Sequence, residues 1–377
     1  MNARERFLAT MHFQPVDRQP LWEWHYLEET VHRWHGEGLP AAVYLPETNT
    51  VDEQHPGTPL HRYLGLDRGQ PYCPGAIDYV PVNTGMLPRF PVQVLAEDER
   101  TQTIIDWDGV KKINLKHISP AMPRFLEFPV RSRADFELMA RRYDPASPGR
   151  YPAGWEAFKA GAQARDYPLG IMFDGYFGRL RSWMGLESLC YMTADDPDLI
   201  GAMCEFHTDF ILATIERALC EVQVDYINIW EDMAYKNGSL MAPAQVRKWM
   251  LPGYRRIADL ARKRGVDIIF VDSDGNIEEL IPIWLEAGIN GVWPLEAAAG
   301  MDPVALRRRY GRDLLLVGGI DKRELSRGKE EVRAEVMKKV APLIEQGGYI
   351  PTVDHSVPPD VPWQNYVYFR ELLQHLA

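Results

Sequence analysis

The chain alternates short apolar runs with longer amphipathic segments over its C-terminal two-thirds. The apolar runs read as buried strands and the segments between them have helical periodicity. Strands separated by helices and short loops indicate a parallel sheet. The segment 20–24 predicts an earlier strand, and a count close to eight favours a closed (β/α)8 TIM barrel over an open sheet. The other predicted strands cover residues 167–173, 224–230, 266–271, 289–293, 314–317 and 349–353.

Residues 67–145 interrupt this alternation with prolines, turns and alternating apolar patches. The run 101–105, followed by Asp108-Gly109, predicts a hairpin closed by an Asp-Gly turn. We therefore predict one domain over 1–377, with a β-rich insertion after the first barrel strand. An insertion there lies over the barrel mouth and could act as a lid. The alternative is a peripheral or oligomerisation element.

The composition and net charge of the chain bear on whether it binds nucleic acid or a membrane. The chain of 377 residues is 46% hydrophobic and 25% charged, as expected for a globular protein with a large core. Its net charge of −11 disfavours nucleic acid, which needs a basic surface. The sequence contains no run of 18 apolar residues, so it predicts no membrane-spanning helix.

The cysteines and the first residues indicate a cytoplasmic protein. Residues 1–6 open an amphipathic helix and do not read as a signal peptide. No two cysteines form a C-x-x-C pair, so we expect buried, reduced thiols in a reducing compartment. The cysteines are Cys73, Cys190, Cys204 and Cys220.

Ionisable residues follow nearly every predicted strand. The functional groups of a parallel barrel come from the carboxyl ends of its strands, so these side chains should share one mouth. No Gly-x-Gly-x-x-Gly follows a strand, which argues against a dinucleotide fold. The strand-end residues are Glu23, His25, Asp174, Glu231, Asp232, Asp272, Asp274, Glu296, Asp321, Asp354 and His355.

So many carboxylates around one mouth would repel one another unless a cation is held there. We predict a metal bound by Asp272, Asp274 and His355, with Glu231 as a fourth ligand or a general acid/base. Oxygen and nitrogen ligands suit Zn²⁺, Mn²⁺ or Fe²⁺. For each carboxylate taken singly, the alternative is a helix N-cap or a loop charge.

The pocket around this site is predicted from charged and aromatic residues. Arg179, beside Arg181, would clamp a substrate carboxylate, or else be a surface helix charge. The aromatic residues would line the pocket or pack in the core. The predicted catalytic residues are Glu231, Asp174 and Tyr235, and the predicted substrate-binding residues are Arg179, Trp22, His25 and Tyr176.

Several motifs carry a family resemblance. Residues 15–20 are similar to a "P-D-R-x-P" turn, 318–321 to "G-N-V-D", and 358–365 to a terminal "P-P-x-T-P-x-x-N". Leu251-Pro252-Gly253-Tyr254 resembles an "L-P-Y" helix start, and 231–243 the stretch that relatives end in "L-I-S-P". The chain resembles the uroporphyrinogen decarboxylase superfamily, and especially its corrinoid-dependent methyltransferase branch. The resemblance covers the first 25 residues and most of the chain from 160 onward.

The resemblance implies a TIM barrel, a set of metal ligands and a reaction. The zinc methyltransferases of this branch carry "H-x-C-G-N" and "G-C-G" motifs, which correspond here to 272–276 and 354–356. Asp272, Asp274 and His355 thus stand where the family's zinc ligands stand, with harder donor atoms. The implied activity is metal-assisted methyl transfer between a small methylated substrate and a corrinoid (cobalamin). The chain has no "D-x-H-x-x-G" motif, so the corrinoid would arrive free or on a separate protein.

Two rival functions stay open. One is a metal-free decarboxylase acting on a tetrapyrrole or another polycarboxylate. Uroporphyrinogen itself is disfavoured because residues 21–26 lack the arginines of the family's "M-R-Q-A-G-R-Y" segment. The other is a non-catalytic protein that binds a corrinoid or its carrier. The sequence leaves the oligomeric state open, a homodimer included.

Overall fold

The computed structural model describes residues 1–44, 59–70, 78–116 and 122–376. Its strands form a six-stranded parallel sheet, a four-stranded antiparallel sheet and a small hairpin. The strands are β1 (Gln93–Glu97), β2 (Thr101–Ile105), β3 (Lys111–Leu115), β4 (Arg124–Glu127), β5 (Gly170–Asp174), β6 (Tyr226–Trp230), β7 (Ala234–Tyr235), β8 (Gly238–Ser239), β9 (Ile269–Asp272), β10 (Gly291–Trp293), β11 (Leu315–Val317) and β12 (Tyr349–Ile350).

Helices alternate with the parallel strands and surround them. Short 3₁₀ turns add Ala297–Ala299 and Gly311–Asp313. The helices are α1 (Ala3–Met11), α2 (Glu28–Glu37), α3 (Pro59–Tyr63), α4 (Arg133–Ala140), α5 (Trp155–Gln163), α6 (Tyr176–Met184), α7 (Leu186–Asp195), α8 (Pro197–Glu221), α9 (Pro243–Trp249), α10 (Leu251–Lys263), α11 (Ile281–Ala287), α12 (Pro303–Tyr310), α13 (Lys322–Leu325), α14 (Lys329–Lys339), α15 (Ala341–Ile344) and α16 (Trp363–His375).

The parallel sheet continues into a barrel at both of its edges. Its order is β12-β11-β10-β9-β6-β5. Beyond β5, Tyr79 forms a parallel bridge with Gly170, and beyond β12, Tyr26 forms one with Val357. These two segments bring the number of strand positions to eight. The fold is the predicted (β/α)8 barrel.

Two predicted strands are shorter than expected. The segment 20–24 is not a strand, since its pairing is reduced to the bridge at Tyr26. The run 349–353 pairs regularly only at Tyr349–Ile350, because Pro351 has no N–H to donate to a ladder. Pairing resumes at Val353, which bridges Ile320.

The antiparallel sheet lies within the predicted insertion. The hairpin of β2 and β3 pairs Ile105 with Lys111, as predicted, and Gly109 in its turn has a positive φ of 82°. Tyr79 also falls within 67–145 but pairs with the barrel, so the separate sheet begins at Gln93.

The insertion contacts the barrel helices after the antiparallel sheet, where the N–H of Val130 donates to the carbonyl of Trp183 at the end of α6. The lid role stays a prediction.

The cysteines differ from the expectation of buried thiols. Cys204 is buried, but Cys190 and Cys220 are exposed on the outer faces of α7 and α8. Cys73 lies outside the described residues. No described helix is long and apolar enough to cross a membrane.

Helix α1 closes the amino-terminal end of the barrel. The ring of Phe7 stacks on Trp22 at 5.1 Å, and the carbonyl of Thr10 accepts a hydrogen bond from Gly348 just before β12. The apolar barrel interior includes Tyr226 and Phe270. Because strand side chains alternate, the interior face of β6 and β9 also carries residues 228, 230 and 272 toward the opposite end. That carboxyl end is the barrel mouth.

Candidate functional site

Asp274 and His355 meet at the barrel mouth. The Oδ2 atom of Asp274 lies 3.3 Å from Nε2 of His355, and each side chain is about one-third exposed, at 34% and 36%. The His355 ring stands edge-on to Trp24, with ring centroids 4.1 Å apart. Two residues that follow β9 and β12 in the chain are thereby joined into one carboxylate–imidazole pair.

Asp272 ends β9 on the interior face, but it does not complete a metal site. It is 3% exposed and lies opposite Trp293 of β10 and Trp230 of β6. Within the described residues, no group of three or more His, Cys, Asp or Glu side chains is arranged to hold a metal ion. The predicted three-ligand site is therefore not formed in this geometry, although two of its three members converge.

His25 lies beside this pair. Its Nδ1 atom is 3.2 Å from the hydroxyl of Ser356, the residue after His355. Burial and the neighbouring His355 both lower the pKa of His25, so its neutral form is favoured. The predicted substrate-binding residue His25 is thus joined to the Asp274–His355 pair.

Asp174 and Arg179 form a second polar group. The carboxylate of Asp174 lies 2.7 Å from the guanidinium of Arg179, which is only 7% exposed. Arg179 also donates to the hydroxyl of Tyr143, and Nε2 of His207 lies 2.8 Å from the carbonyl oxygen of Asp174. Burial, the largest single effect, lowers the pKa of Arg179, but Asp174 and Tyr143 together outweigh it and the pKa of Arg179 is raised. The arginine that was predicted to clamp a substrate is already paired.

A third polar group pairs Arg181 with Asp232 at 2.7 Å. The Arg181 guanidinium also lies 5.3 Å from the centroid of the Trp230 ring. Asp232 has a positive φ of 46°, a conformation that non-glycine residues rarely adopt. Both arginines that follow β5 are therefore neutralised by aspartates at strand ends.

Glu231 faces away from the mouth. It is fully buried and accepts hydrogen bonds from the backbone N–H groups of Tyr176 and Phe177 and from the hydroxyl of Tyr254. Burial raises its pKa to about 7. Since Trp230 points into the barrel, the next residue must point outward, toward α6 and α10. The carboxylate caps the start of α6 and does not reach the Asp274–His355 pair.

Three other predicted site residues are also separate from the pair. Trp22 is buried against α1 at the far end of the barrel. The hydroxyl of Tyr176 is buried 2.9 Å from that of Thr208. Tyr235 is 69% exposed in the β7–β8 hairpin. Strand position alone did not distinguish these environments.

Other strand-end carboxylates cap loops and helices, as the alternative interpretation held. Asp321 accepts from the N–H of Arg323 at the start of α13. Asp354 is buried, accepts from the N–H of Ala297 and lies 3.3 Å from the ammonium of Lys322. Glu296 accepts from the N–H of Gly275.

Sequence reasoning missed the partners that hold the site. Tyr143, His207 and Ser356 are not among the residues predicted for the site. Tyr143 precedes the barrel strand β5 by more than a full helix, so nothing in its local pattern indicates a contact with Arg179. Only Ser356, adjacent to a predicted ligand, carried a signal in the sequence.

Comparisons with known proteins agree with this architecture. Curated relatives named uroporphyrinogen decarboxylase include one from Coxiella burnetii, 23% identical over 99% of this chain and 95% of its own length. Another, from Alcanivorax borkumensis, is 25% identical over 99% of this chain and 97% of its own length. A solved methyltransferase from Methanosarcina mazei has the same fold, with a TM-score of 0.61 and 17% identity over 100% of this chain and 99% of its own.

The family model of uroporphyrinogen decarboxylase (URO-D) matches residues 113–376, which span β3 to α16. The match includes both members of the Asp274–His355 pair and every strand of the parallel sheet. The chain belongs to the uroporphyrinogen decarboxylase (URO-D) family.

Proposed function

We propose that this protein is an enzyme that transfers a methyl group between a small methylated substrate and a corrinoid. The observation that carries the proposal is the Asp274–His355 pair at the barrel mouth. These residues stand where, by sequence resemblance, the family's zinc methyltransferases hold their ligands. The methyltransferase with the same fold supports this choice.

The pair supplies proton chemistry. When a methyl group leaves a substrate oxygen, nitrogen or sulfur atom, that atom keeps the bonding electron pair and needs a proton. The Asp274 carboxylate lies 3.3 Å from Nε2 of His355 and holds that ring nitrogen toward itself. The other ring nitrogen, Nδ1, is then left to deliver a proton to the demethylated atom. A reduced corrinoid supplies the nucleophile that takes the methyl group.

The residues around the pair restrict how a substrate can approach. Trp24 fixes the ring plane of His355 by an edge-to-face contact. Burial and the neighbouring His355 lower the pKa of His25, which favours an uncharged second imidazole near the pair. The Asp174–Arg179 pair lies at the end of β5 and offers a hydrogen-bonding carboxylate.

The test measures methyl transfer to chemically reduced cobalamin by its visible absorption change. The purified protein is offered O-, N- and S-methyl donors in parallel, and methylcobalamin in the reverse direction. We expect turnover with one donor class. His355→Ala and Asp274→Asn should lower the rate by about 10²–10⁴-fold, the usual contribution of a general acid.

A second His–Asp pair gives a matched control. His12 and Asp267 lie 3.0 Å apart at the opposite end of the barrel and are both exposed. His12→Ala and Asp267→Asn should leave the rate unchanged. If neither free cobalamin nor a separate corrinoid protein is methylated or demethylated, the proposal fails. Corrinoid binding without turnover would instead support the non-catalytic rival.

Uroporphyrinogen-type decarboxylation is the second candidate, because curated relatives across 99% of this chain carry that name. The polar groups at the mouth favour it less, since Arg179 and Arg181 are both paired with aspartates and are not free for substrate carboxylates. Assay of the same preparation with uroporphyrinogen, followed by chromatography of the porphyrins, separates the two. The decarboxylase would be favoured if wild type converts uroporphyrinogen, Asp174→Asn does not, and His355→Ala still does.

The zinc site predicted from the sequence has a test of its own, which is elemental analysis of the purified protein. Because Asp272 does not join Asp274 and His355 in a three-ligand group, we expect the metal content to be the same in wild type and in an Asp274→Ala/His355→Ala variant. One equivalent of metal that the double variant loses would establish the site predicted from the sequence. In that case a bound metal acting as a Lewis acid would take the place of proton donation by His355 in the proposed reaction.

A further inference from the structure

Glu23 is a buried carboxylate next to the barrel mouth. It lies in the segment that leads to the bridge of Tyr26 with Val357, and it has no exposed surface. Its backbone N–H donates to Oε1 of Gln70 at 2.9 Å. Because the side chain is fully buried, it cannot touch a substrate, and its role depends on the groups that it binds.

Two backbone N–H groups converge on one oxygen of this carboxylate. Oε1 of Glu23 accepts a hydrogen bond from the N–H of Val353 at 3.0 Å and another from the N–H of Trp24 at 3.2 Å. Val353 belongs to the segment after β12, and Trp24 belongs to the first barrel segment. One oxygen therefore ties these two segments together.

Both of the groups that Glu23 holds lead to His355. The ring of Trp24 contacts the ring of His355 edge to face, with centroids 4.1 Å apart. Val353 precedes His355 by two residues and also bridges Ile320. The place of the imidazole beside the indole thus depends on how far apart Glu23 holds the two segments.

Helix α16 holds the other oxygen of the carboxylate. Oε2 of Glu23 lies 3.0 Å from the hydroxyl of Tyr366, which lies 2.7 Å from that of Tyr26. Arg370, one turn further along α16, donates to the carbonyl of Trp22. Burial raises the pKa of Glu23 to about 7, and the charge of Arg370 limits the rise. Either protonation form can accept through Oε1, so the two N–H bonds do not require the charge.

We propose that Glu23 is a positioning residue for His355. It acts by reach: the length of its side chain sets the separation of Trp24 and Val353, and these two residues set the place and the ring plane of His355 beside Asp274. This role rests on the proposed function, in which His355 delivers the proton.

NMR of the full-length protein, labelled with carbon-13 at Cε1 of histidine, tests this role without a substrate. The His355 signal is assigned by its loss in His355→Asn, and Trp24→Leu gives its position when the indole is absent. We expect Glu23→Leu to move the signal toward that position, because leucine cannot accept from the N–H groups of Trp24 and Val353. Glu23→Gln should leave it near the wild-type position, since glutamine keeps an acceptor oxygen at the same reach.

Glu23→Asp separates the effect of reach from the effect of charge. Aspartate keeps the carboxylate but is shorter by one methylene, so it should displace the His355 signal more than Glu23→Gln does. A residue that acted through its charge would give the opposite order. Because both variants keep acceptor oxygens, their comparison decides the matter if Glu23→Leu does not fold, which circular dichroism melting checks.

Glu231→Leu and Glu231→Asp are matched controls. Glu231 is also fully buried, accepts from two backbone N–H groups and a tyrosine hydroxyl, and has a pKa that burial raises to about 7. It faces α6 and α10 instead of the segments that carry Trp24 and His355. The two controls should lower stability and leave the His355 signal at its wild-type position.

Two results would overturn the proposal. One is a His355 signal that stays at the wild-type position in folded Glu23→Asp. The other is an equal displacement in the Glu231 variants, which would show a general effect of losing a buried acceptor.

Where methyl transfer is observed, kinetics add a second readout. Glu23→Asp should lower kcat by about tenfold or more and leave KM nearly unchanged, because a misplacement of about 1 Å can cost about 10²-fold in rate. An unchanged kcat beside a displaced His355 signal would also contradict the proposal. The NMR signal requires no turnover, so failure of the proposed reaction and failure of this positioning role are distinguished.

Discussion

Glu231 joins three elements through one buried carboxylate. It follows β6, accepts from the first N–H groups of α6 and bonds the hydroxyl of Tyr254 in α10. A helix N-terminus carries partial positive charge and unsatisfied donors, both of which a carboxylate satisfies. This position explains the residue as a structural cap whose removal would leave several buried donors without partners.

Replacing Glu231 should therefore reduce stability more than catalysis. We expect Glu231→Leu to lower the free energy of unfolding by about 3 kcal/mol or more, because the donors stay buried and unpaired. Glu231→Gln keeps an acceptor oxygen and should cost less. Urea denaturation measures both, with the exposed Glu205→Gln as control.

The opposite pattern would restore the catalytic role predicted for Glu231. Glu231→Gln would then abolish turnover while its urea midpoint matched that of wild type. Rates should be measured well below the midpoint, so that unfolding does not imitate a loss of catalysis.

Residues at strand ends could be identified from the sequence, but the side of the strand on which each side chain lies could not. Asp274 and His355 were selected because they follow apolar runs, and they do meet. Glu231 was selected by the same criterion and faces outward. One residue of shift reverses the side of a strand, and the end of β6 is defined by hydrogen bonds that a sequence pattern does not contain. The type of each residue and its approximate position could be predicted from the sequence. The direction in which its side chain points depends on the hydrogen-bond register between neighbouring strands.

Glycines make room for the side chains that pack between α6, α8 and α10. A Cβ atom at Gly253 of α10 would clash with the hydroxyls of Tyr176 and Thr208, and one at Gly175, before α6, would clash with the carboxylate of Glu231. The absence of a side chain at these positions lets the helices pack around the buried Glu231. The packing of these elements depends on the two glycines more than on helix propensity.

Gly253→Ala should destabilise the protein by about 1–3 kcal/mol, the usual cost of overpacking a core. Gly161→Ala in α5 is the matched control, since nothing lies within 4 Å of a Cβ atom at Gly161. There alanine should be neutral or stabilise by up to about 1 kcal/mol, because it favours the helix. Thermal unfolding of the two variants beside wild type measures the difference.

Equal midpoints for Gly253→Ala and Gly161→Ala would contradict this account. In that case Tyr176 and Thr208 would have moved without cost, and the contacts of these two side chains with α10 would be loosely packed.

Helix ends follow local sequence signals. Gly288 ends α11 in a left-handed conformation, and Asp196 caps α8. Helix α11 begins at Ile281, because the side chain of Asn276 bonds the N–H of Glu278 and holds a turn before the helix. The pairing of Tyr79 with Gly170 was missed because a single bridge has no apolar run to reveal it.

The whole molecule separates its two ends chemically. The mouth carries the Asp274–His355 pair and two neutralised arginines. The other end is closed by α1 and has a cavity whose wall includes the charged side chains of Arg312 and Glu345. The barrel architecture could be predicted because it repeats along the chain. The cavity could not, because it is formed by segments from the two ends of the sequence.

Four buried groups contribute to the pH dependence of stability in opposite directions. Burial raises the pKa of Glu23 and Glu231 from 4.5 to about 7, and lowers the pKa of His61 and His207 from 6.5 to about 3. The glutamates contribute stability that is fully present below pH 4.5 and lost as the pH rises to 7. The histidines contribute stability that is present above pH 6.5 and lost as the pH falls to 3.

Between pH 4.5 and 6.5 the glutamate and histidine contributions oppose each other, at about 3 kcal/mol at most for each of the four groups. We therefore expect little change in the unfolding free energy of wild type across this window. A Glu23→Gln/Glu231→Gln variant should instead gain stability with rising pH, because only the histidine contribution remains. Urea denaturation at half-unit pH steps measures both slopes, with Glu205→Gln as control. Parallel profiles for wild type and the double variant would show that the two glutamates do not titrate differently in the folded and unfolded states.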